Sequence, residues 1–123
     1  MLKYQKLKSS EAEKEIIQYL LDLGFSFYIE KEFDDLKNPE TNQKLRFDFY
    51  IPTLNLCIEY DGRQHFEEVP DFQDQRYNLS SQKKKDNIKT EYCISKDIHL
   101  LRISYRDNMR IKEIIREYIK TIQ

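Results

Sequence analysis

The periodicity of this chain predicts an α/β domain, a mixed central sheet flanked by helices, with elements in the order α-β-β-β-α-β-α. Three observations carry that prediction. Ile16, Ile17, Leu20 and Leu21 recur at helical spacing behind a Ser10/Glu13 capping-box pair. Two short segments, RFDFYIP (Arg46 to Pro52) and CIEYDGRQHF (Cys57 to Phe66), alternate apolar and polar side chains with the period of half-buried strands. Ile111, Ile114, Ile115, Tyr118, Ile119 and Ile122 mark a last amphipathic helix with basic residues on its outer face.

The first helix runs from about Ser10 to Leu23, because Gly24 offers the stop. Phe25 to Phe33 is aromatic and β-branched enough for a first strand, and Asp34 to Gln43, with Asn38-Pro39 inside it, reads as a polar loop. In the second strand Phe47, Phe49 and Ile51 alternate with Arg46, Asp48 and Tyr50; in the third, Leu56, Ile58 and Tyr60 alternate with Cys57, Glu59 and Asp61. Pro52 to Asn55 makes the turn between them. Glu67 to Asn78 is polar, holds Pro70 and shows no period, which predicts an irregular loop beside the acidic residues. Ser80-Ser81 caps a second helix reaching about Lys96, and Ile98 to Ser104 forms a fourth strand.

At 123 residues the chain matches one domain, large enough to bury a core without disulfides. Charged residues make up 35% of it, yet apolar residues recur periodically throughout, so disorder is excluded. The net charge of −1 hides a split: residues 1–75 carry 9 Lys+Arg against 16 Asp+Glu, and residues 76–123 carry 12 against 6. An acidic half that holds a cation and a basic half that holds phosphate would produce this asymmetry. Cys57 and Cys93 lack CxxC spacing and a neighbouring His, so buried free thiols in a reducing cytoplasm are expected. No apolar run is long enough for a membrane span, and MLKYQKLKSS lacks the apolar stretch of a signal peptide.

Strict alternation would place Asp48, Glu59 and Asp61 on one sheet face. Three carboxylates crowded there repel one another unless a cation sits among them, and hard oxygen donors suit Mg²⁺, or Mn²⁺.

The element order, with Asp in the second strand and Glu-x-polar in the third, resembles the PD-(D/E)XK nuclease superfamily, whose restriction-endonuclease-like core is αβββαβ; here a C-terminal helix follows it. Within that superfamily the blocks SEAEKEIIQYL, FDFYIP, IEYDGRQHF, KKDNIKTEYC and IHLLRISY look most like the very-short-patch repair endonucleases and the phage EDxHD homing endonucleases. The resemblance implies a metal-dependent DNA endonuclease working inside a bacterial or phage-infected cell. Asp48 falls on the superfamily's Asp, and Glu59-Tyr60-Asp61 on its (D/E)XK, with Asp61 standing where most members place Lys. The repair and homing group supplies a substitute: His65 matches its active-site histidine, Asp86 its later aspartate, and Glu13, or its neighbour Glu11, its helical acid.

On that resemblance Asp48 and Glu59 bind the metal, with Asp61 or the Tyr60 carbonyl completing the protein's share, and His65, oriented by Glu13 or Asp86, takes the proton from water. Asp86 would also suit a helix-face ion pair with Lys83 or Lys89. Cations outside the acidic site must supply attraction for DNA, and Arg63, Lys83, Lys84, Lys85, Arg102, Arg106 and Arg110 are candidates, with Gln64 placed to hold water or phosphate. Phe66, Phe72 and Tyr77 are candidates to wedge or stack on bases. A homodimer or a partner protein would supply specificity to so compact a chain, and a catalytically inactive nucleic-acid- or partner-binding module is the competing reading.

Overall fold

The computed structural model describes residues 10–63 and 79–123. The chain is α/β: α1 (Glu11–Asp22), β1 (Tyr28–Lys37), β2 (Lys44–Ile51), β3 (Leu56–Asp61), α2 (Leu79–Lys96), β4 (His99–Ser104) and α3 (Ile111–Ile122), with short 3-10 turns at Pro52–Leu54 and Tyr105–Arg110. One mixed sheet runs in the order β1-β2-β3-β4, antiparallel through β3 and parallel from β3 to β4. The parallel pair follows from α2, which carries the chain back along the sheet between them.

Local chemistry sets the boundaries. Ser10 accepts from the Glu13 N–H and donates its own N–H to Glu13 Oε1, both at 3.1 Å, which closes the capping box of α1. At the other end Gly24 adopts φ +82°, and the Phe25 and Gly24 N–H groups turn back to the carbonyls of Leu20 and Leu21. That is the left-handed glycine stop expected from the sequence. β1 extends past Phe33 to Lys37, where a polar loop was expected. Leu36 explains the extension, being buried against the core beneath α2, while Asp35 is held by Tyr92 Oη (2.6 Å) and Lys96 Nζ (2.8 Å) from that helix.

Each face of the sheet has its own core. On one side Ile16 and Leu20 of α1 and Ile111, Ile115 and Ile119 of α3 close over Phe49, Ile51, Ile58 and Ile103. On the other, α2 closes through Cys93 over Leu36, Leu45, Phe47 and Cys57. Cys57 and Cys93 are both buried free thiols. The neighbouring Cys93 thiol and burial together hold the Cys57 thiol far above its ordinary range.

Phe47 and Phe49 therefore belong to opposite faces, and the strict alternation read from RFDFYIP is broken at Asp48. β1 breaks in the same place. Ile29 pairs with Phe49 and Lys31 with Phe47, which leaves Glu30 opposite Asp48, and Glu30 adopts φ +56°. Ile29 packs on the α1 side and Phe33 on the α2 side, so both strands change faces at one rung without changing register.

Candidate active site

The β2–β3 ladder pairs Ile51 with Leu56, Tyr50 with Cys57 and Phe49 with Ile58, which brings Asp48 opposite Glu59. There side chains take over from the backbone. The Asp48 N–H donates to Glu59 Oε2 and the Tyr60 N–H donates to Asp48 Oδ2, each at 2.7 Å. The two strands open around a pair of carboxylates that brace them, with Glu59 buried.

The opening leads into a cleft of about 650 Å³. Its acidic lining is Glu13 from the first turn of α1, Glu30, Asp48 and Glu59. Its cationic lining is Lys44 and Arg46 from β2, and Lys85 and Lys89 from α2. Lys89 Nζ lies 2.6 Å from the buried Glu59 Oε1, with its own side chain partly buried, and sits over the Phe47 ring. Burial, then the charge of Glu59 and that of Glu13, pushes the Asp48 carboxyl well above its ordinary range, against the Tyr60 N–H and Lys89, which pull it down. Burial and the neighbouring carboxylates act in the same direction on Asp48, and a cation placed beside it would act against both.

The donor set fits such a cation in part. Both Glu59 oxygens are engaged, one by the Asp48 N–H and one by Lys89, whereas the Tyr60 N–H occupies only Oδ2 of Asp48. Among the described residues no three His, Cys, Asp or Glu side chains form a ready cage. Mg²⁺ is commonly held by one or two carboxylates together with substrate phosphate and water, and the facing pair Asp48 and Glu59 meets that requirement.

Asp61 does not join them. It follows Glu59 along β3 but does not line the cleft; its Oδ1 lies 3.7 Å from Arg102 Nη1, and Asp86 Oδ1 lies 3.6 Å from the same nitrogen. Arg102 also donates to the Asp86 carbonyl (2.9 Å) and Thr90 Oγ1 (3.0 Å). The single three-carboxylate face expected from alternation is thus two clusters, one open to the cleft and one closed on an arginine. The ion pair expected between Asp86 and Lys83 or Lys89 is replaced by Arg102 and a 3.0 Å hydrogen bond from Gln82.

The expected DNA-contacting cations scatter. Lys85 lines the cleft; Lys83 and Lys84 are exposed outside its lining, with Lys84 3.7 Å from Glu40. Arg102 is turned inward, Arg106 lies over the Tyr105 ring, Arg110 pairs with Glu113 at 3.0 Å, and Arg63 is exposed just past β3. Gln64, His65, Phe66, Phe72 and Tyr77 lie outside the described residues. Sequence reading passed over Lys44, Arg46, Glu30 and the role of Lys89. A signal for Lys89 exists: it falls one helical turn after Lys85 and one before the buried Cys93, so it shares their sheet-facing stripe.

No family model and no solved structure matches the chain. Three viral proteins are similar to part of it. Uncharacterized protein 307L of Invertebrate iridescent virus 6 is 34% identical over 77 residues, 58% of this chain and 39% of that protein. Uncharacterized protein 094L of Frog virus 3 (isolate Goorha) is 38% identical over 69 residues, 55% and 44% of the two chains. Uncharacterized protein 033L of Invertebrate iridescent virus 3 is 30% identical over 70 residues, 57% and 36%. The matched segment thus spans less than half the length of each of these curated relatives. No helix among the described residues is long and apolar enough to cross a membrane.

Proposed function

We propose that this domain is a metal-dependent endonuclease of the PD-(D/E)XK type that hydrolyses DNA phosphodiester bonds in the cleft between β2, α1 and α2. The observation that carries the reading is the pair Asp48 and Glu59, each accepting a backbone N–H from the facing strand at the point where β2 and β3 part, with Lys89 2.6 Å from Glu59. Asp48 and Glu59 would hold Mg²⁺ or Mn²⁺, which when bound supplies Lewis-acid stabilisation of charge on the scissile phosphate. Lys89 reaches from α2 the region that the lysine missing at Asp61 would serve in the superfamily, and its ammonium would orient the phosphate or the attacking water. Glu13 adds a further acidic group to the cleft while it caps α1. His65 retains the general-base role that the repair and homing endonucleases imply for it. Asp61 and Asp86, tied to Arg102, would hold α2 and β4 against the end of β3 and thereby position Lys89.

The test incubates supercoiled plasmid with the protein and Mg²⁺ or Mn²⁺, beside EDTA and Asp48→Ala. Metal-dependent nicking or linearisation that vanishes in the variant is the expected result. A folded protein that neither cleaves nor gains thermal stability from either metal would overturn the proposal in favour of an inactive binding module.

A further inference from the structure

Two cations of the cleft come from β2, away from the lysine-rich helix. Lys44 and Arg46 are alternate residues of one strand, about 7 Å apart along it, a step close to that between consecutive phosphates of an extended nucleic-acid strand. Leu45 and Phe47, between and beside them, are buried on the α2 side, so Lys44 and Arg46 project on the other, beside Ser10 and Glu13 of α1. Both cations are occupied by β1. Arg46 lies 3.2 Å from Glu32 and 3.6 Å from Glu30, and Lys44 lies 3.1 Å from Asp34. These pairs are solvent-exposed, with 57% of the Arg46 side chain and all of Asp34 accessible, so each is weakly held and open to exchange. Glu30 is presented to Arg46 and the cleft from the left-handed rung opposite Asp48.

We propose that Lys44 and Arg46 form a phosphate-binding subsite for the strand lying in the cleft, and that the β1 carboxylates hold the place of its phosphates until it arrives. The subsite rests on the nuclease reading and gives it a direction: the bound strand runs from the Asp48–Glu59 pair along β2 toward Lys44, with Lys85 on the facing wall. A guanidinium makes bidentate bonds to phosphate as readily as to carboxylate, so the exchange at Arg46 conserves its hydrogen bonds. Binding then releases Glu32 and Asp34 to water, where both already stand at the rim.

The experiment measures binding of a fluorescein-labelled single-stranded oligonucleotide, and of its duplex, by anisotropy in EDTA across a salt series. Lys44→Ala with Arg46→Ala should weaken single-strand binding about tenfold and flatten the salt slope by roughly 1.4, two contacts at about 0.7 each. Lys83→Ala with Lys84→Ala, the same loss of charge outside the cleft lining, should cost less. Glu32→Gln with Asp34→Asn should tighten binding several-fold, since the cations then have no competitor. Equal losses from the two lysine/arginine doubles, or no gain from the neutralised β1, would overturn the subsite while leaving plasmid cleavage, and with it the nuclease reading, standing. If the unaltered chain binds neither oligonucleotide, the subsite falls, and plasmid cleavage in Mg²⁺ or Mn²⁺ decides the nuclease reading separately.

Discussion

Glu59 and Asp61 stand two residues apart on β3, both buried, and each faces a cation, yet they live in different electrostatic worlds. Glu59 has one short contact to a single ammonium, opens onto a cleft and shares it with Asp48. Asp61 shares one guanidinium with Asp86 at longer distances, and Arg102 spends its other nitrogen on a carbonyl and a hydroxyl. Each arrangement sets two carboxylates against one cation, but the first stands at an opening and the second is closed inside a joint between β3, α2 and β4. Burial and acidity alone therefore do not mark a reactive carboxylate. What distinguishes the two is whether the carboxylates open onto a cleft or are closed within a joint.

The sharpest way to break this contrast is to remove one carboxylate from each cluster and compare rates. Asp48→Ala should lower metal-dependent cleavage by on the order of 10³-fold or more, whereas Asp61→Asn should lower it by no more than about tenfold, the scale of an indirect positioning effect. Equal losses in a plasmid assay would return Asp61 to the catalytic set.

Removing the cations comes next. Lys89→Met leaves Glu59 buried without its ammonium and should cost about 3–5 kcal/mol in urea unfolding. Combining it with Glu59→Gln should recover most of that loss, and a double that is merely additive would show that the pair is not coupled. Arg102→Met should cost less, about 1–3 kcal/mol, because Arg102 is a quarter exposed and its contacts are longer.

The smallest effect concerns Asp48 itself. Its raised value means that the folded carboxyl holds a proton which the unfolded chain releases, so stability falls as pH rises from the ordinary carboxylate range through the folded value. Asp48→Asn, which cannot ionise, should abolish that slope and raise stability near neutral pH without metal. Melting curves between acid and neutral pH would show it; a slope that survives the substitution would place the titration elsewhere.

Much of this fold is written in local pattern. The Ser10/Glu13 box, the Gly24 stop, the Pro52–Asn55 turn and the isoleucine stripe of α3 each depend on residues a few positions apart, and each stands where periodicity and capping put it. Asp48 and Glu59, read from strand alternation, Lys85, read from the lysine run, and Glu13, read from the resemblance, all line the candidate cleft. The partition of the carboxylates was not legible. It depends on Lys89 and Arg102 reaching β3 from elements far along the chain, and on the change of face at Asp48. Alternation conceals that change because a sheet covered on both sides buries Phe47 and Phe49 alike. A sequence rule that sorts residues into inside and outside carries no information when both sides are inside.

The crossing rung at Glu30 and Asp48 bears on how this domain comes apart. Leu45 and Phe47 anchor β2 in one core, Phe49 and Ile51 anchor it in the other, and the crossover between them is where the candidate site sits. β2 therefore acts as a pin through both layers. Melting either layer withdraws the pin from the other, so the two cores should be lost in one cooperative transition, with no partly unfolded form that keeps the cleft.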